Sequence, residues 1–267
     1  ARQAGLTGPL PTVTRIDAGP ISGLKFGDDA SRVVFLHGGG QNAHTWDTVI
    51  LGLGAPALAL DLPGHGRSAW REDGDYGPKF NAEAVEPVVR NLAPDADLVV
   101  GMSLGGLTAL RLAVAAPDLV RKLVMVDVTP SAPERHTEMT DAQKGTVALV
   151  QGDRTFPSFD AMLEVTVAAA PHRDRESLRR GVFHNAKRLD DGTWTWRYDT
   201  IRKGEGFEVA TPGGVETARQ VVVVDNNTAD PALWQPVRDW CAGRAGFDFI
   251  HAMGVANAKA GALDIAL

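Results

Sequence analysis

The chain has 267 residues, a formal net charge of −6, and 44% hydrophobic against 22% charged residues, which suits a large α/β domain and excludes a disordered or collagen-like chain. No apolar run approaches the roughly 18 residues of a spanning helix, so stable membrane insertion is not expected, and the acidic balance argues against a nucleic-acid partner, whose phosphates need clustered Lys and Arg. The single cysteine, Cys241, permits neither an internal disulfide nor a cysteine metal site and fits a reducing compartment, with the cytoplasm as the default.

The opening ARQAGLTGPLP starts at Ala1 and lacks the apolar centre of a signal peptide, so the chain reads as beginning inside a longer protein. An extended lead-in over 13–26 precedes four short apolar runs at 33–36, 57–60, 98–101 and 122–126, each ending in or followed by histidine, aspartate or glycine. Residues 81–92 and 104–116 carry apolar side chains at three- and four-residue spacing and stop near Pro94 and Pro117. This is the strand and crossover-helix rhythm of an α/β fold with a mostly parallel sheet covered by helices on both faces. Ligands of such sheets collect at the strands' carboxyl ends.

From about residue 131 the rhythm changes to helical segments at 142–150, 159–169 and 175–188, followed by the Trp-rich GTWTWRYD. Short amphipathic helices have little to bury alone, so 131–205 reads as a cap inserted over the sheet's carboxyl edge. Residues 1–130 and 206–267 then form the two parts of the core. Trp194 and Trp196 alternate with threonine as the packed face of a hairpin.

The strongest chemical signal is Gly101-Met102-Ser103-Leu104-Gly105, set between the strand DLVVG and the helix LGGLTALRLAVAA. A serine on a sharp strand-to-helix turn is exposed as a nucleophile, and glycines two positions either side keep the turn clear of a crowding Cβ. The helix start aims the Leu104 N–H at a developing oxyanion. His37-Gly38-Gly39-Gly40 follows the first core strand, and the Gly39 N–H is the expected second donor. His37 and His65, the latter in the loop DLPGHGRS, read as loop-bracing residues. The basic cap residues Arg173, Arg179 and Arg180 read as solvated. No metal-ligand spacing and no P-loop lysine is present, so neither metal nor cofactor is expected.

The segments VVFLHGGGQNAHTW, LALDLPGHGRSAW, VVGMSLGGLTALRLA and LVMVDVTP occur in the order and spacing of the α/β-hydrolase superfamily. Together with PHRDRESLRRGVFHNAKRLDDGTWTWRYD, they resemble the mycobacterial serine esterases of that fold over about residues 5–202. The resemblance implies hydrolysis of short- to medium-chain acyl esters by a serine, acid and histidine triad beneath a helical cap. Residues after about 206 depart from the pattern, and a reading-frame change in the gene would produce such a tail.

The acid must orient the base from a strand end near Ser103. Asp127 terminates KLVMVD, the expected neighbour of the serine's strand, and compact esterases similar to this one use this position; Asp225 and Asp230 lie one strand later. Relatives carry their base in a Gly-His pair after the last strand, a pair absent beyond residue 65. His251, after FDFI, is the one histidine downstream of the cap and precedes a predicted terminal helix at 256–267. The alternatives are the cap histidines His136, His172 and His184, or no base at all. The expected function is a serine carboxylesterase of lipase type working through an acyl-enzyme on a small-molecule ester. The alternative is an idle hydrolase fold binding a small ligand under the cap. Oligomeric state leaves no mark in the sequence.

Overall fold

Residues 33–36, VVFL, are apolar throughout, and only a strand covered on both faces satisfies such a run. In the computed structural model, which describes residues 1–128, 155–171, 173–199, 221–225 and 231–251, this run is the completely buried strand β3 (Val33–Leu36). The lead-in forms a hairpin of β1 (Val13–Ala18) and β2 (Ile21–Phe26). Its turn falls at Gly19, whose φ of 64° suits a residue without Cβ. With β4 (Ala57–Leu60), β5 (Leu98–Met102), β6 (Leu123–Val126), β10 (Val221–Asp225) and β11 (Phe247–His251), these strands make an eight-stranded sheet ordered β1-β2-β4-β3-β5-β6-β10-β11. From β4 to β11 every pairing is parallel.

Strand alternation sends Leu36, Leu60, Val99, Met125 and Val223 to one face, where α2 (Pro78–Leu92), α3 (Leu104–Ala115) and α6 (Pro231–Ala242) cover them. Phe35, Ala59, Val100, Val126 and Val224 meet Trp46 and α1 (Asp47–Leu53) on the other. Two apolar layers thus sandwich the sheet, as the sequence rhythm predicts. Among the described residues no helix is long and apolar enough to cross a membrane.

The region between β6 and β10 differs in one respect from its sequence reading. Helices α4 (Phe159–Ala169) and α5 (Arg175–Asn185), capped by Ser158 and Asp174, pack on a separate sheet ordered β7-β9-β8. That sheet comprises β7 (Thr155–Phe156), β8 (Ala186–Arg188) and β9 (Trp194–Trp196). Met162, Leu163, Leu178, Val182, Trp196 and Tyr198 close a third apolar cluster, so these helices bury their stripes against their own sheet. Residues 186–188, expected as the end of a helix, are strand, and Trp194 and Trp196 do line the hairpin's packed face. The predicted helices at 142–150 and 256–267, with His136, His172 and Asp230, lie outside the described residues.

Candidate active site

The parallel order β3-β5-β6 sets three carboxyl ends side by side, and each bears one predicted element: the glycine loop, Ser103 and Asp127. Ser103 has φ 49° and ψ −117°, a conformation unfavourable to a side chain. Glycines make the turn possible. A Cβ on Gly101 would fall 2.6 Å from Gly106 Cα, and one on Gly105 would fall 2.6 Å from His37 O. The first turn of α3 therefore presses directly on the end of β3. A Cβ on Gly38 would lie 3.5 Å from Ser103 Cβ, which measures how closely the glycine loop passes the serine.

Two backbone donors face this space. Leu104 is the first residue of α3, where N–H groups have no intrahelical acceptor, and neither its N–H nor that of Gly39 donates to an acceptor among the described residues. The Ser103 N–H donates to Val126 O at 3.0 Å, anchoring the turn to β6. Asp127 follows directly, with φ 57°, and its N–H donates to Val224 O at 3.3 Å. Aspartate tolerates the left-handed region better than most residues. Asp225 ends β10, the next strand along.

The histidines divide by role. His37 is completely buried, accepts the Leu62 N–H at Nε2 (2.9 Å) and so donates from Nδ1 to Gly38 O (2.8 Å). His65 accepts the Gly40 N–H at Nε2 (3.1 Å) and donates from Nδ1 to Pro63 O (2.9 Å). Both brace the glycine loop, as the sequence suggests. His251 is the last residue of β11, paired in register with Asp225. It lies three strands from β5, about 14 Å at ordinary strand spacing, and its ring stacks on Trp234 of α6 at 4.3 Å. No histidine among the described residues is hydrogen-bonded to Ser103 Oγ. The structure brings Ser103, Leu104, Gly39 and Asp127 to one edge and sets His251 apart from them.

A second cluster escaped the sequence reading. His44, Asp47 and the cap's His184 hold ligand-type atoms within 4.8 Å of one another and are the one described group of at least three that can hold a metal ion. The rings of His44 and His184 stack at 3.7 Å. Asp47 accepts from His44 Nδ1 (3.0 Å) and Arg180 (3.2 Å), and Arg15 donates to His44 Nε2 (3.1 Å). Burial, then the charge of His44, pushes His184 down to about 4. The His44/Asp47 spacing of three was the one sequence signal; the third member comes from 137 positions further on.

The sequence profile of the alpha/beta hydrolase family matches residues 33–258. Over 202 residues the chain is 70% identical to the esterase Rv0045c of Mycobacterium tuberculosis, spanning 76% of this chain and 68% of that protein. Two solved structures of Rv0045c superimpose with TM-scores of 0.83 and 0.82 at 55% and 50% identity, covering 99% of this chain and 93% and 92% of theirs. Seventy per cent of 202 residues and 55% of nearly the whole chain are almost the same number of identities, so the structural likeness extends beyond the block that carries the sequence likeness. A pimeloyl-acyl-carrier-protein methyl ester esterase of Yersinia pestis is 39% identical over 107 residues, 39% of each chain.

Proposed function

The chain belongs to the alpha/beta hydrolase family, and from that membership we propose that it is a serine esterase that cleaves short- to medium-chain carboxylic esters through an acyl-enzyme. The observation that carries this reading is the strained Ser103 turn with the glycine loop packed against it and two N–H donors beside it. Ser103 Oγ attacks the acyl carbonyl carbon, and the oxygen, now negative, accepts from the N–H groups of Leu104 and Gly39. Collapse of the tetrahedral intermediate expels the alcohol, which takes up the serine's proton from the base, and water then releases the acid by the same steps. Asp127 orients the base and stabilises its cationic form.

His251 is the base this reading assigns. The role requires its ring to leave the Trp234 stack and cross the edge of β10 and β6. That placement favours a second reading, an idle hydrolase fold that binds a small ligand under the cap region. Hydrolysis of p-nitrophenyl esters from acetate to decanoate decides between them. The esterase reading expects turnover on the shorter members that Ser103→Ala lacks and that His251→Ala lowers severely. No turnover above Ser103→Ala on any member leaves the idle fold. Cys241 is buried and its thiol is pushed up to about 11 by that burial, so it stays protonated and inert, consistent with our cytoplasmic assignment.

A further inference from the structure

Arg15, Arg67 and Arg197 reach one small cavity of about 160 Å³ from three separate parts of the chain: β1, the loop after β4 and the segment after β9. Asn42, His44 and His184 complete its polar wall, and Ser103 does not line it. Like charges repel at this range unless something compensates them. The one carboxylate lining the cavity is Asp61. Both of its oxygens are engaged: Oδ1 accepts the Ala43 N–H (2.7 Å), and Oδ2 accepts the Arg67 N–H (3.0 Å) and Arg15 Nη1 (3.1 Å).

Asp61 thus balances Arg15 alone. Arg197 donates from Nε to Ala186 O at 2.9 Å, and neither it nor the Arg67 guanidinium has a carboxylate partner among the described residues. Burial, then the charges of Arg67 and Arg15, holds the Arg197 guanidinium below its ordinary value, with Asp61 opposing. The neighbouring His44/Asp47/His184 group does not change the balance, because Asp47 is already shared between Arg180 and His44. Two uncompensated guanidinium forks facing a space for one small group match a dianion, and planar forks match the paired oxygens of phosphate.

We propose that the cavity bounded by Arg15, Arg67 and Arg197 is a binding site for a phosphate group, either free phosphate or the phosphate of a monoester. Bound there, the anion ties β1, the loop after β4 and the β9 segment together. The site does not depend on the esterase reading, since none of its donors belongs to the Ser103 machinery.

The test is the thermal unfolding midpoint of the full chain titrated with inorganic phosphate and, separately, glycerol phosphate, against sodium chloride at equal ionic strength. The expected result is a saturable rise with phosphate beyond that of chloride, whose apparent Kd weakens about tenfold or more in Arg67→Gln and in Arg197→Gln. Arg188→Gln, an equal loss of charge on exposed β8, should leave it unchanged. A rise with both compounds assigns the site to monoesters as well, and a rise with phosphate alone restricts it to the free ion; each supports the proposal. Arg67 is exposed on a loop, so its variant keeps the test valid even if Arg197→Gln fails to fold. A rise no larger than chloride's, or one undiminished in Arg67→Gln, overturns the proposal.

Discussion

Ser103 and Asp127 are the two non-glycine residues with positive φ among the described residues, at 49° and 57°, and they stand at the carboxyl ends of the neighbouring parallel strands β5 and β6. A hydrogen bond from the Ser103 N–H to Val126 O, one residue before Asp127, couples the two turns. Unfavourable backbone persists where the surroundings over-determine it, and such sites cluster at functional positions. Here the surroundings are the glycine contacts of Gly101 and Gly105 on one side and β6 on the other.

The strain at Ser103 has a measurable size. Ser103→Gly removes the Cβ that makes its φ and ψ unfavourable, so it should stabilise the chain by about 1 kcal/mol or more, about 2–4 °C in Tm. Ser103→Ala keeps the strain and should unfold near the parent's midpoint. Both should lack esterase activity. Equal midpoints for the two variants would show that the turn is relaxed.

Asp127→Asn keeps a residue type that tolerates positive φ, so the fold should survive while turnover falls by about three to four orders of magnitude, as when a triad loses its orienting carboxylate. Rates on a p-nitrophenyl ester, with circular dichroism to check folding, measure this. A mild effect here with a severe one for Asp225→Asn moves the acid one strand along.

Gly105→Ala places a Cβ 2.6 Å from His37 O and 2.5 Å from Leu36 C, backbone atoms that cannot swing away. The variant should lose about 1–3 kcal/mol, and its turnover should drop because α3 and the glycine loop are forced apart. Gly181→Ala is the contrast. It lies in α5 with nothing within 4 Å of its Cβ, and should gain about 0.5–1 kcal/mol from helix propensity. Urea unfolding of the pair reads both signs.

His184 connects stability to pH. Its folded value near 4 lies below the ordinary 6.5, chiefly through burial. Above 6.5 both folded and unfolded chains hold it neutral. As pH falls from about 6.5 to 4, the unfolded chain takes up a proton that the folded chain refuses, so stability declines across that window and then levels for this group. His184→Gln should flatten that part of the profile of urea midpoint against pH. An unchanged slope would assign the decline to other groups.

Much of this architecture was legible in the sequence because its determinants are local. VVFL, ALAL and LVVG are apolar on both faces, the Gly101 to Gly105 motif sits between a strand and a helix, and the predicted and observed bounds of 159–169 coincide. The hairpin histidines and tryptophans followed from similar short-range logic. What escaped was non-local. The cap helices' own partner sheet joins residues 155–156 to 186–196, and the cavity of Arg15, Arg67 and Arg197 unites residues that share no spacing. His251 shows a subtler limit. FDFIH continues as strand to its last residue, so strand alternation puts the histidine with Phe249 on the face covered by Trp234, whereas the sequence reading took it as the first residue beyond the strand.

The central claim is that Ser103 is an activated nucleophile, and a fluorophosphonate probe tests it most directly, because it bonds to an activated serine and spares a passive one. Peptide mapping of the labelled full chain should place the adduct on Ser103, with labelling absent in Ser103→Ala and slowed in Asp127→Asn. A folded parent chain that stays unlabelled at probe concentrations that label an active serine esterase, or that carries the adduct elsewhere, contradicts the claim.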